Sequence, residues 1–393
     1  MKNKITIFNL ILCIIVLGGC KPAQEFYVYN DGDDQLEAVS SQLIWNLDNQ
    51  EKIGSMEIEY ATTFTVDYYE PGYALITIND TDRYLYVGQG EQVPVSVEDG
   101  IRVINGPIDN IYMASSSSMD YFRTLGCLDR VSFTSTKREN WSVLEVLERL
   151  DDGRLEYIGK YNMPDYELLV SSGCNIAIEN TMVYHCPEVK ENIEALGIPV
   201  IVDYSSYETS PLGRLEYVKL YGLLLGKEDE AMDFFEESEA AIAGISFDTE
   251  KIVSVGYFYI ASGGHVNVRK PGDYVTKMIE IAGGSYALNS LVPEEENALA
   301  TMNIQMESFY ENAVDADILI YNSTTTGDVH SILDLLAKEP LMGDFAAVRN
   351  GQVWCTTADT FQRTSAAADM IRELNLIFEG KAPDSMEFFY RLQ

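Results

Sequence analysis

The sequence predicts an α/β protein of two Rossmann-like lobes joined by a single long α-helix, with a β-hairpin extension ahead of the first lobe. Three observations carry this. Short apolar strands alternate with helical stretches from Ile111 to Val202, and the same rhythm returns from Ile252 to Phe378. Between the two runs lie two helices. Strand–helix alternation of this kind implies parallel sheets covered by helices.

The chain opens with a secretory signal. Lys2 and Lys4 precede an apolar run from Ile5 to Leu17 that closes in Leu17-Gly18-Gly19-Cys20. A charged start, a short apolar core and small residues at the cut are the parts of such a signal. The run is shorter than the ~20 residues that span a bilayer. Its end resembles a bacterial lipobox, which implies that Cys20 becomes the first residue and carries lipid. One acyl chain holds only marginally, so a stable anchor needs two or more chains of the palmitate kind. Residues 1–19 are therefore read as the signal. Residues 20–52, polar and acidic, are read as a tether.

The first lobe is assigned to 53–226. At its front Tyr73–Asn79 and Tyr84–Gly88 alternate around Asp80-Thr81-Asp82-Arg83, a hairpin pattern. Ile111–Ala114 then reads as a strand, Ser115–Ser118 as a loop and Met119–Leu125 as a helix. Ile176–Ile178 is a strand, Glu179–Thr181 a loop, and a helix follows from Pro187 to Leu196 before the strand Val200–Val202.

Ser210-Pro211 supplies an N-cap and first-turn pair for the first of the two middle helices, and Gly226 stops it. The second runs from Glu228 to Ala243, within a linking segment 227–246. Its Ala231, Phe235, Ser238, Ile242 and Ile245 form one small or apolar stripe, opposite Glu230, Asp233 and Glu237. A helical link resists bending and predicts limited closure on a ligand. The alternative is an ordinary crossover helix inside one large sheet. The second lobe, 247–393, holds strands at Ile252–Tyr259, Ile318–Tyr321 and Val353–Cys355, with helices at Gly272–Ala282, Gln305–Ala313 and Ser365–Phe378.

Composition bounds the function. The 393 residues carry 27 Lys+Arg against 62 Asp+Glu, a net charge of −35, which repels nucleic acid and anionic lipid headgroups. Hydrophobic residues make up 46%, enough for sizeable cores. Six cysteines are too few for a disulfide scaffold; Cys174 and Cys186 are either a pair or buried thiols. There are three histidines and no C-x-x-C spacing, so neither a bare-metal site nor a resident cofactor is expected. The chain lacks G-x-S-x-G, H-E-x-x-H, P-loop and G-x-G-x-x-G motifs. Ser117 or Ser262 with His265 and Asp359 would be the parts of a hydrolase, the minor alternative to a non-enzymatic protein.

From Ile111 onward the chain resembles the iron-siderophore, haem and cobalamin substrate-binding proteins of ABC importers, the class III periplasmic-binding fold. Three segments carry the resemblance: Met119–Val131, Tyr166–Ile178 and Lys270–Gly284. Asn175 and Ile176 replace the Pro-Asp usual in the second, and the hairpin region lies outside the common pattern. The resemblance implies a monomeric lipoprotein on the outer face of the membrane. It would capture a metal chelate or tetrapyrrole and hand it to ABC permease and ATPase subunits. It also implies one exposed glutamate per lobe for permease docking, matched here by Glu156 and Glu307. Two fixed carboxylates suit a symmetric pair of basic pockets. A surface sensor or adhesion module with the same fold is the alternative.

In open α/β sheets ligands sit beyond the carboxyl ends of the strands. That places Ser116, Ser117, Asn180, Tyr204, Tyr207, Tyr259, Asn322 and Gln362 in a cleft between the lobes. Hydroxyls, amides and aromatics suit a large polar ligand with a flat apolar face. Arg269, entering a second-lobe helix, is a candidate clamp for a ligand carboxylate. His265 is the candidate axial contact to a chelated metal, with Tyr207 or Tyr259 as phenolate alternatives.

Overall fold

The computed structural model describes residues 43–261, 263–292, 300–324 and 329–393, with the backbone of Glu25–Val28 (β1) and Glu37–Ser40 (β2), which pair antiparallel. The signal, Cys20 and Ser262 lie outside the described residues.

The tether expected over 20–52 does not extend to its predicted end. Trp45 is fully buried, edge-on to Tyr69 with ring centroids 5.6 Å apart, and its backbone N–H donates to the Ser96 carbonyl at 3.0 Å. The acidic composition of the stretch masks this one indole, whose burial fixes the chain.

The predicted hairpin is the centre of a larger element. Strands β3 (Lys52–Ser55), β4 (Phe64–Tyr69), β5 (Tyr73–Ile78), β6 (Asp82–Val87) and β7 (Ile101–Asn105) form a five-stranded sheet in that order. All pairs are antiparallel except β6 with β7. Successive residues face opposite sides of a strand. Phe64, Val66, Ile76 and Tyr84 enter the core of the first lobe, while Tyr73, Leu75, Leu85 and Val87 pack with Trp45. The sheet is covered on both faces, and it shares a core with the first lobe.

The first lobe contains β8 (Ile111–Met113), α1 (Met119–Thr124), β9 (Val131–Thr134), α2 (Leu144–Asp151), β10 (Glu156–Tyr157), a small hairpin β11–β12 (Gly159–Lys160, Met163–Pro164), α3 (Tyr166–Ser171), β13 (Ile176–Asn180), α4 (Pro187–Ala195) and β14 (Val200–Asp203). Its sheet is wholly parallel, ordered β10-β9-β8-β13-β14. Strand β13 runs two residues beyond its predicted end. Glu179, expected in the cleft loop, is therefore inside the sheet and buried. Cys174 and Cys186 are separate thiols.

Helices α5 (Pro211–Leu225) and α6 (Glu228–Ala243) follow. Gly226 adopts φ +66°, the left-handed conformation that ends α5 and turns the chain into α6. At Gly222 an added Cβ would stand 2.5 Å from the Cβ of Ala231, so this pair of small residues lets the helices touch. Ala231, Phe235, Ser238 and Ile242 are buried, as the stripe predicts.

The second lobe contains β15 (Val253–Ile260), β16 (Val266–Arg269), α7 (Tyr274–Ile281), β17 (Gly284–Tyr286), β18 (Thr301–Ile304), α8 (Met306–Ala313), β19 (Ile318–Tyr321), α9 (Ile332–Lys338), α10 (Ala346–Arg349), β20 (Val353–Thr356), α11 (Ala367–Phe378) and β21 (Phe389–Arg391). Its sheet runs β18-β16-β15-β19-β20-β21, with β17 beside the first half of β15. The three central strands, β15, β19 and β20, are parallel, and antiparallel strands close both edges. The lobes are thus two separate sheets, which removes the single-sheet alternative. Among the described residues the chain passes between them once, over 204–252.

The segment between β3 and β4 straps the N-terminal sheet to this crossing. The N–H groups of Glu59, Tyr60 and Ala61 donate to the fully buried Glu216 of α5 at 2.9, 2.7 and 2.7 Å. Those of Thr62 and Thr63 donate to Glu208 at 2.8 Å each, and both threonine hydroxyls join them. Lys219 neutralises Glu216 at 2.8 Å. On α6, Glu228 accepts from the Tyr68 hydroxyl at 2.8 Å and Glu239 from that of Tyr60.

Candidate functional site

The carboxyl ends of both parallel sheets meet, and on one side of the meeting the lobes are in direct contact. Thr364 donates its hydroxyl to the Ser117 carbonyl at 3.1 Å. Ser365 donates its N–H to Asp120 at 2.8 Å and its hydroxyl to the same carboxylate. The hydroxyls of Thr124 and Ser365 lie 2.7 Å apart. Gln362 accepts from the Ser142 N–H at 2.9 Å and donates to the Asn140 carbonyl at 2.7 Å. Asp120 is buried and also holds Arg123, with Nε at 2.6 Å. Gln362 and Ser117, expected to face a ligand, are instead parts of a latch between the lobes. The turn after β20 reaches across to the first lobe and commits the Gln362 amide there.

A cavity of about 290 Å³ lies between 206–209 of the first lobe and 270–274 of the second, with Ala300 at its edge. Tyr207, 44% exposed, lines it. Tyr204 is buried behind, its ring 5.6 Å from that of Tyr207 and 6.2 Å from that of Tyr184. The hairpin tip of the N-terminal sheet completes the cluster. Asn79 donates to the Tyr204 hydroxyl at 3.1 Å, and the Tyr184 hydroxyl donates to Asp82 at 3.3 Å. Asn79 and Asp80 hold φ of 50° and 60°, values that Asn and Asp tolerate better than most residues.

A smaller, mostly apolar cavity of about 40 Å³ lies alongside, walled by Arg214, Tyr257, Met278, Phe361 and Arg363 among others. Tyr274 borders both cavities. Sequence reasoning missed Arg214, Tyr274 and Tyr184. Arg214 is hidden in the first turn of an apolar helix. Tyr274 follows the N-cap Asp273, which accepts from Val275 and Thr276 at 3.1 Å each.

The remaining expected residues divide. Arg269 is buried and ion-paired with Asp273, Nε to Oδ2 at 2.7 Å, so its fork is spent within the lobe. His265 is exposed at the β15–β16 turn and lines neither cavity. Tyr259 is half-buried opposite Asn267 in the same hairpin. Asn322 is buried and accepts from the Thr324 hydroxyl at 2.6 Å. Asn180 donates to the Ala114 carbonyl at 3.2 Å and caps Met182 at 2.9 Å. Ser116 is half-buried in the loop after β8. Of these residues Tyr207 lines the larger cavity, with Tyr204 packed behind it.

The Glu179 carboxyl makes no hydrogen bond among the described residues, and burial pushes it up to about 8. Among the described residues no hydrogen bond joins Ser117 to His265 or Asp359; the Ser117 hydroxyl meets Ser115, and Asp359 accepts from Thr357 at 2.8 Å. Glu156, on β10, and Glu307, in the first turn of α8, are both exposed.

No family model matches the chain. It is 24% identical over 382 residues to an uncharacterised lipoprotein of Methanocaldococcus jannaschii, covering 90% of this chain and 87% of that one. Among solved structures, a petrobactin-binding protein of Bacillus subtilis is similar with a TM-score of 0.55 at 16% identity, covering 70% of this chain and 93% of its own. A periplasmic haem-binding protein of Vibrio cholerae gives 0.54 at 17% identity, covering 68% and 99%. Both account for nearly all of their own length and leave part of this chain without a counterpart. The chain has the two-lobed α/β fold of the class III periplasmic binding proteins.

Proposed function

We propose that this chain is a substrate-binding protein of an ABC importer, held on the outer face of the membrane by lipid at Cys20. It captures a metal chelate of the siderophore or haem class between its lobes and releases it unaltered to a permease. The observation that carries this reading is the 290 Å³ cavity between Tyr207 and the Lys270–Tyr274 segment, in a fold whose solved neighbours are named for petrobactin and haem. Ligand pockets commonly run from about 300 to 1,000 Å³, so a tetrapyrrole needs the two walls to part somewhat. The relative named as a lipoprotein supports the anchor. Exposed Glu156 and Glu307 are the docking carboxylates in this reading.

The test is a thermal-shift screen of residues 21–393 against haem, cobalamins and ferric siderophores. A ligand at a hundred times its Kd stabilises the native state by about 2.7 kcal/mol, a shift of several degrees. A flat panel would remove the chelate assignment.

A further inference from the structure

We propose that the binding surface continues from the larger cavity onto an aromatic strip of Tyr207, Tyr184 and Met182, that the N-terminal sheet positions this strip through Asn79, and that the strip takes a planar aromatic part of the ligand. This rests on the binding reading above and narrows its ligand class.

The strip follows from topology. Strands β13 and β14 are parallel neighbours, and each delivers tyrosines just past its carboxyl end, Tyr184 after β13 and Tyr204 and Tyr207 after β14. That edge is where open α/β sheets receive ligands. The Tyr204 ring neighbours both others, tilted 55° to Tyr207 and 50° to Tyr184. Tilted rings at such spacings attract one another. Tyr204 is buried, yet Tyr207, Tyr184 and Met182 are 44%, 45% and 47% exposed. Three large side chains are thus left half open, continuous with the cavity wall that Tyr207 forms.

The N-terminal sheet sets the position of these rings. Asn79, at the turn between β5 and β6, donates its amide to the Tyr204 hydroxyl at 3.1 Å, and Asp82 accepts from Tyr184 at 3.3 Å. The turn is itself fixed to the first lobe. Tyr84 donates its hydroxyl to the Val200 carbonyl of β14 at 2.7 Å, and Arg102 of β7 pairs with Glu194 of α4 at 2.6 Å. Both tyrosyl hydroxyls are tied to one anchored turn, so the rings are in place before a ligand arrives and binding bears little ordering cost.

The size of the cavity indicates what covers the strip. About 290 Å³ is at the lower end for a ligand pocket, and the contact between Asp120 and Ser365 restrains the lobes from parting widely. A chelate with the bulk of a tetrapyrrole extends past Tyr207, and a flat ring system there meets aromatic side chains.

The experiment measures Kd of the mature chain for haem, a ferric tricatecholate and a ferric trihydroxamate that carries no aromatic ring. A ring contact is worth about three- to tenfold in Kd. Tyr184→Ala should therefore weaken at least one ring-bearing probe about threefold or more, and the ring-free probe less than twofold. Asn79→Gly removes the amide, while glycine adopts the φ of 50° freely. It should give the same split and add nothing in a Tyr207→Ala background, because Asn79 acts through that ring. Asn79→Asp, which accepts from the Tyr204 hydroxyl, should restore most of the loss. Where the ring-free probe does not bind, the Tyr207→Ala background decides. Ring-bearing probes untouched by Tyr184→Ala and Asn79→Gly, equal losses for both kinds of probe, or additive losses of Asn79→Gly and Tyr207→Ala would overturn the strip while leaving a chelate receptor in place. Binding of the ring-free probe alone would do the same. Binding of none of the three overturns the chelate reading and this inference together.

Discussion

Ser365 of the second lobe gives both its backbone N–H and its hydroxyl to the buried carboxylate of Asp120 in the first. The contact ties the start of α1 to the turn before α11, beside α5, where Tyr121 of α1 donates its hydroxyl to the Arg214 carbonyl at 2.6 Å and stacks on Tyr221. It makes the closed arrangement a bonded state rather than a resting distance.

Asp120→Asn should open this contact. It leaves Arg123 and Arg363 without their shared charge, and breaking a buried pair one-sidedly costs about 3–5 kcal/mol. Partial exposure of the arginines brings the expected loss to about 2–4 kcal/mol. Urea unfolding reads the loss, and small-angle scattering should show a larger radius of gyration. Unchanged values for both would show the latch to be idle.

Glu216→Ala should loosen the N-terminal sheet. Three amides and the Lys219 ammonium lose one acceptor at a fully buried position, an expected cost of about 3–5 kcal/mol. Glu216→Gln keeps one acceptor oxygen and should cost less. Limited proteolysis should cut within 56–63 sooner in the alanine variant than in wild type. Equal cleavage rates would count against the strap.

Glu179 gives a pH dependence of known sign. Its folded carboxyl titrates near 8 because burial disfavours the charged form, against about 4.3 when unfolded. Between those values the native state binds more protons, so this group lowers stability as pH rises, and its effect levels off above 8. Glu179→Gln stays neutral throughout. The stability of the variant relative to wild type should therefore grow from pH 5 to pH 8. A constant difference would mean that Glu179 is ionised in the fold. The other carboxylates cancel in this comparison.

Reversing Glu156 and Glu307 to Lys together should abolish uptake in cells and leave the Kd for ligand unchanged. Both side chains are exposed and lie outside the two cavities. Normal transport by the double variant would exclude these residues from docking.

Local signals carried most of the lobe architecture into view. The α6 boundaries follow from its stripe and from Gly226, and the strands at Ile111, Val200 and Ile318 follow from apolar runs between turns. What stayed hidden depends on distant pairing. Strand β7 joins β6 in parallel across a long loop, and β3 is short and exposed, so neither marks itself as part of a sheet. Glu208 and Glu216 read as ordinary acids because their partners are backbone amides some 150 residues earlier. The site was legible as a set of loops but not as a set of contacts. Gln362 and Arg269 have the chemistry of ligand residues, and only the fold shows that other protein groups already use it.

Glu208 belongs at once to the cavity wall and to the corner at Thr62 and Thr63. A guest that displaced this side chain would have to rupture contacts with the segment that straps the N-terminal sheet to the crossing. The extra sheet thus acts as a stiffener behind one wall, and the freedom of the chamber to adapt to different guests is set from outside the two lobes.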